Sequence, residues 1–190
     1  METVRDVCKY IGGIVRSNPT CVETGCSHMV PSENLIHTTT NNLARYICSN
    51  NGGVLYSLDI DGAHVKSARK LVAEEASECR CIFVLGDSVE SLKNLEVEFS
   101  NSIPRKSVDV LCLDSKEFDE DHMVNEYMAI SRSLWDEHFV LVDDIHNLNS
   151  VKYKKMVPIL KDLGYSYFEV ATPTGLFVAT KGYGLPSENR

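Results

Sequence analysis

Nowhere in the 190 residues do 18 apolar side chains follow one another, so no membrane-spanning helix can be drawn. The start, METVRDVCKYIGGIVRSNPT, has helical spacing, carries acids and holds no uninterrupted apolar core, which argues against a secretory signal. Basic residues are outnumbered. Nineteen Lys and Arg against 27 Asp and Glu leave a net charge of −8, the wrong sign for a chain that neutralises phosphates, so no nucleic-acid partner is expected. The seven cysteines, at 8, 21, 26, 48, 79, 81 and 112, include no C-x-x-C pair, which excludes a zinc ribbon or a thioredoxin motif. Cys81 and Cys112 lie in apolar runs and read as small buried hydrophobes, Cys21 and Cys26 flank a glycine turn that leaves a redox role as the alternative, and the set as a whole fits reduced thiols in a cytoplasmic protein. Internal repeats, low-complexity stretches and Pro/Ser linkers are missing too. A single domain over 20–182 is expected, with a helix in 1–19 packed on it and a tail at 183–190.

What the chain does hold is a regular alternation of short apolar runs and longer amphipathic ones. Val4, Val7, Cys8, Ile11, Ile14 and Val15 repeat at helical spacing and stop at Ser17-Asn18-Pro19. Strands are predicted at 20–24, 54–60, 81–85, 108–113 and 139–142, and helices at 39–49, 63–77, 88–97, 121–134 and 150–163. Tyr127 and Trp135, on or beside an amphipathic helix, are expected in the core. At the end, YSYFEVA and GLFVAT are joined by Thr172-Pro173-Thr174, too short for a crossover helix, so they should form an antiparallel hairpin. The pattern predicts an α/β doubly wound, Rossmann-like sheet of seven strands, mostly parallel, with that hairpin at one edge and helices on both faces.

In such sheets ligands bind beyond the carboxyl ends of the strands. Each predicted parallel strand ends in at least one carboxylate: Glu23, Asp59 with Asp61, Asp87, Asp114, and Asp143 with Asp144. Gly25 is the only glycine between 14 and 51, so the G-x-G-x-x-G pyrophosphate cradle is missing and NAD or FAD is disfavoured. Glu23 beside that glycine suits a ligand ammonium, and Gly25 serves either a close backbone approach or a tight turn alone. Asp59 is placed to accept both hydroxyls of a ribose. Asp87 and Ser88 are placed to meet an adenine edge, with Ser88 equally able to cap the next helix.

VETG (22–25), YSLDID (56–61), VLGDSVESL (84–92), VDVLCLD (108–114) and FVLVDD (139–144) resemble, in order and spacing, five motifs of the class I S-adenosylmethionine-dependent methyltransferases. The resemblance covers about residues 20–180. It implies S-adenosyl-L-methionine as cofactor, with Glu23 and Gly25 at its methionine end, Asp59 at its ribose, and Asp87 and Ser88 at its adenine. Where the family has a second glycine this chain has Met29, and SHMVPSENLIH (27–37) is inserted before the next helix. Ser27 and one of Thr38, Thr39 and Thr40, with Thr39 the candidate carried forward, would supply the hydroxyls that meet the cofactor there.

Asp114, Asp143 and Asp144 fall on neighbouring strands, and three converging carboxylates repel unless a cation or proton lies between them. Oxygen ligands of this kind suit Mg²⁺ or Ca²⁺; the alternative is that Asp143 or Asp144 caps the next segment. The trio is similar to that of catechol-type O-methyltransferases, which implies a divalent ion orienting a hydroxylated acceptor and acting as a Lewis acid. Asp144 stands where that group more often has Asn. Lys116 lies two residues past Asp114, one short of the related lysine, where this chain has Glu117. Candidate catalytic groups are thus Asp114, Lys116 and His146, while His28 and His37 bracket the insertion and read as base or solvated side chain. The acidic run 117–121 reads as a solvated loop entering a helix. The resulting expectation is methyl transfer to a small-molecule acceptor, through oxygen in preference to nitrogen, by a chain able to form an oligomer. The rivals are a silent cofactor-fold assembly subunit and an NAD-dependent oxidoreductase.

Overall fold

A computed structural model describes residues 1–26, 38–49, 51–116 and 118–186. Seven strands, β1 (Thr20–Thr24), β2 (Val54–Asp59), β3 (Arg80–Leu85), β4 (Val108–Leu113), β5 (Leu134–Asp143), β6 (Ser166–Val170) and β7 (Leu176–Lys181), form one sheet. Their order is β3-β2-β1-β4-β5-β7-β6. The neighbours from β3 to β5 are parallel, and β7 runs against both β5 and β6. The doubly wound sheet and its closing hairpin are therefore as the alternation predicts.

Strand order reverses between β1 and β4, which pair directly through Cys21↔Val110 to Thr24↔Leu113. Both are buried along their whole length, as expected for central parallel strands covered on both faces. One face packs against α1 (Val4–Ile14) and the helical segment α2 (Thr39–Leu43), which continues as a π-turn over Ala44–Ser49. Val7, Cys8, Ile11, Leu43, Ile47, Leu55 and Phe139 meet there. The other face lies under α4 (Ser88–Asn101), α5 (His122–Ile130) and α6 (Tyr153–Asp162), with Phe99, Leu111, Met123, Val142 and Leu160 in its core. The helix α3 (Gly62–Glu75) follows β2 and buries Val65, Ala68 and Val72.

Local chemistry sets the ends of these elements. Thr3 and Asp6 form a reciprocal capping box at the start of α1. Asp61 caps α3 by accepting from the Ala63 amide at 2.7 Å, and Asp87, rather than Ser88, caps α4 by accepting from Glu90 at 3.0 Å. That helix runs four residues past its predicted end because Phe99, fully buried, anchors its last turn. The predicted helix over 121–134 is shorter than expected. It gives way after Ile130 to a 3-10 turn, Ser131–Ser133, and the chain enters β5 at Leu134. Trp135 consequently lies on β5, 38% exposed rather than in the core, with the Arg16 guanidinium 4.3 Å from its ring centroid. Tyr127 is buried as expected. Asp109, inside the buried β4, is held by Arg16 (Nη2 at 3.2 Å) and by the Thr20 amide at 2.8 Å. Among the described residues no helix is long and apolar enough to cross a membrane.

Candidate functional site

A cavity of about 790 Å³ opens at the carboxyl ends of the strands, around the β1/β4 reversal. Its wall brings together Gly25, Thr38, Thr39, Asp59, Asp61, Asp87, Ser88, Asp114, Lys116, Asp143 and Asp144, with Cys26, His64, Ser115 and His122. Most strand-end residues singled out from sequence thus meet in one place. Ser27, His28, Met29, His37 and the rest of 27–37, together with Glu117, lie outside the described residues.

The turn after β1 has a geometric reason for its glycine. Gly25 adopts φ +80°, and a Cβ there would sit 2.3 Å from the Asp114 carbonyl oxygen. Any side chain would push β1's turn away from the end of β4, so close approach and a left-handed backbone act together. Asp59 is anchored beside it. One carboxylate oxygen accepts from the Cys26 amide at 3.0 Å and the other from the Asp61 amide at 2.8 Å, with His64 Nδ1 3.3 Å away. Oδ1 keeps a further lone pair for a ligand hydroxyl, while Oδ2 is shared between the Cys26 amide and His64.

Glu23 is fully buried and is not among the residues that line the cavity. Its Oε2 accepts from Thr40 and from Ser57, both at 2.7 Å, while Oε1 is buried with no hydrogen-bond partner among the described residues. Burial, only partly offset by the hydroxyls of Thr39, Ser57 and Thr40, pushes its pKa up to about 7. Of the three threonines left open by sequence, Thr38 and Thr39 line the cavity, and the hydroxyls of both Thr39 and Thr40 act on Glu23.

Asp114, Asp143 and Asp144 do converge, but the charge among them is balanced from within the chain. Lys152, fully buried, places Nζ 2.7 Å from Asp114 Oδ1 and 2.9 Å from Asp144 Oδ2. Burial works against its charge, yet the two carboxylates outweigh it and raise its pKa. Asp143 accepts from the Asp144 amide at 2.8 Å. Burial, then the charges of Asp114 and Asp144, holds its pKa well above the usual carboxylate range. The expected Mg²⁺ or Ca²⁺ site at Asp114, Asp143 and Asp144 is therefore not supported. The residues present do not fit an ion, because an ammonium already bridges two of the three acids. Among the described residues no group of three or more His, Cys, Asp or Glu is arranged to hold one.

The other candidate catalytic groups separate. Lys116 reaches the wall, but its ammonium pairs with Asp119 at 2.9 Å, which raises its pKa and opposes a role as base. His146 is not on the wall; it is half exposed and lies 3.7 Å from Glu169.

A further buried carboxylate was not picked out by the sequence. Glu126, fully buried on α5, accepts from Ser115 Oγ at 2.5 Å and from Thr24 Oγ1 at 3.1 Å. His122 Nε2 lies 3.3 Å from Glu126 and 3.0 Å from Ser88 Oγ. The Glu126 contact raises the His122 pKa against the opposing effect of burial. The available signal for this pair was the i, i+4 spacing of His122 and Glu126 on a helix following an acidic loop. Lys152 also left a trace. A cation at a helix N-terminus opposes the macrodipole, so a lysine there needs a partner elsewhere.

Solved structures similar to this one include several methyltransferases and a spermidine synthase. An O-methyltransferase from Bacillus cereus in complex with S-adenosylhomocysteine superposes with a TM-score of 0.65 at 16% identity, covering 94% of this chain and 78% of that one. An O-methyltransferase from Streptomyces achromogenes involved in tomaymycin synthesis, in complex with S-adenosylmethionine, gives 0.65 at 12% identity, covering 94% and 77%. A methyltransferase from Geobacter sulfurreducens gives 0.64 at 13%, covering 93% and 77%. Likeness at such identities shows a common fold. No family model and no curated protein matches the sequence.

Proposed function

We propose that the chain is an S-adenosylmethionine-dependent methyltransferase acting on a hydroxyl of a small molecule. The observation that carries this reading is the cavity at the strand-order reversal, where the Gly25 turn and the anchored carboxylate of Asp59 stand beside Asp114 and Asp143. Its size lies within the range of small-molecule sites, about 300–1,000 Å³. The donor set fits the cofactor: acceptors for hydroxyls at Asp59, and negative charge along the wall for an ammonium and a sulfonium. When bound, the cofactor supplies an electrophilic methyl group.

The chain's own part is positional and electrostatic. Asp59 would hold the ribose, Asp87, Ser88 and His122 would frame the adenine, and Thr38 and Thr39 would meet the amino-acid end. Holding acceptor and methyl in line supplies most of the rate enhancement in such a transfer. Asp114, Asp143 and Asp144, all on the wall, would be the carboxylates that face the acceptor. The wall acids also favour neutral or cationic acceptors over anionic ones.

Isothermal titration with S-adenosylmethionine and S-adenosylhomocysteine tests this. Saturable binding of at least one is expected, weakened about 10- to 100-fold in Asp59→Ala, the cost of losing hydrogen bonds to a charged acceptor. A folded wild-type protein that binds neither ligand overturns the reading.

A further inference from the structure

We infer that Lys152 takes the place of a metal ion at the acceptor end of the cavity: its tethered ammonium closes the Asp114–Asp144 pair, and the site works without a divalent cation. The distances identify the kind of contact. Oxygens 2.7 and 2.9 Å from Nζ have the spacing of charge-assisted N–H···O bonds, whereas Mg²⁺ holds its oxygens at about 2.0–2.1 Å and Ca²⁺ at about 2.3–2.6 Å. Placement completes the argument. Lys152 is fully buried, while the side chains of Asp114 and Asp144 keep 24% and 14% of their exposure. The ammonium thus sits behind the acids, and the acids form the wall. An ion arriving from the cavity would have to displace a cation that is covalently tethered to α6 and shielded from solvent.

The exchange changes what the site can do. A bound ion keeps coordination positions open for a substrate and polarises a hydroxyl as a Lewis acid. A lysine ammonium has three donors, two of them committed here to Asp114 and Asp144. It fixes the two carboxylates without presenting an open position to the cavity. If the methyl-transfer reading holds, on which this step rests, the acceptor needs no neighbouring pair of oxygens to chelate, and a substrate with one hydroxyl is sufficient. The cation replacement itself stands without that reading.

The test uses Mn²⁺ alone, read by electron paramagnetic resonance on the chelator-treated full chain with no cofactor present. Wild-type protein is expected to show no saturable site up to about 1 mM, since the carboxylates are already engaged. Lys152→Ala is expected to gain one saturable site, lost again when Asp114→Asn is added. A wild-type site that saturates below about 0.1 mM and disappears in Asp114→Asn overturns the inference, as does a folded Lys152→Ala protein that gains no site. Lys152→Met keeps the side-chain length and serves if the alanine form does not fold, and the wild-type titration needs no variant. Failure of cofactor binding leaves these readings unaffected, so the two proposals fail separately.

Discussion

Glu23→Gln should flatten the pH dependence of stability. Glu23 is fully buried and its pKa rises to about 7 from an ordinary value of 4.5. Between those values the folded chain holds a proton that the unfolded chain has released. Stability therefore falls as pH rises through this window and levels off above the folded pKa. The full effect of a shift this large is about 3 kcal/mol, of which about 2 kcal/mol falls between pH 5.5 and 8.5. Glutamine keeps an oxygen for Thr40 and Ser57 and cannot ionise. Its amide nitrogen replaces an oxygen that lacks a partner among the described residues, at a cost of about 1–3 kcal/mol that is the same at both pH values. Urea unfolding of both proteins at the two pH values isolates the charge, because Asp109 and Asp143, also raised by burial, contribute equally to each. The wild type should lose about 2 kcal/mol more than the variant, a midpoint difference of about 1 M urea. Parallel pH profiles would refute the buried-charge argument.

Gly25→Ala combines φ +80° with a Cβ 2.3 Å from a carbonyl oxygen, so it should cost at least about 2 kcal/mol and lower the melting temperature by roughly 4–8 °C in a calorimetric scan. His122 should titrate above 6.5 by NMR, and Glu126→Gln should bring it down, since the Glu126 contact is the largest cause of its shift. The stability from that contact is present below the unfolded-state pKa and fades as pH rises through the folded value. Asp109→Ala should cost about 2 kcal/mol in chemical unfolding, because the buried Thr20 amide loses its acceptor while the half-exposed Arg16 can rehydrate.

The sheet was legible because its signal is local. The run VDVLCL over 108–113, broken only by Asp109, marks a buried central strand, the short segment 20–24 is bounded by Ser17-Asn18-Pro19 and Gly25, and a three-residue joint at 172–174 leaves only a hairpin. The start of β5 was not, since LWDEHF carries charge and its register against β4 breaks between Val108 and Val110. Such an edge is fixed by pairing, which one segment alone does not express. In the site, the strand-end acids could be read because topology alone sends them to one cavity. Lys152 is separated from Asp114 by 38 residues and looks like one lysine among several in VKYKK. Only the packing of α6 shows which of those lysines turns inward, and that contact decides between an ion and an ammonium.

The chain has a single tryptophan, and it reports on a place remote from the cavity. Trp135 sits at the start of β5 with a guanidinium from the segment that leaves α1 laid over its ring. Indole emission is therefore an optical gauge of whether the N-terminal helix is docked. It should shift when Arg16 is removed or α1 detaches and stay steady as ligands fill the opposite edge of the sheet, which makes the two events separable in one cuvette.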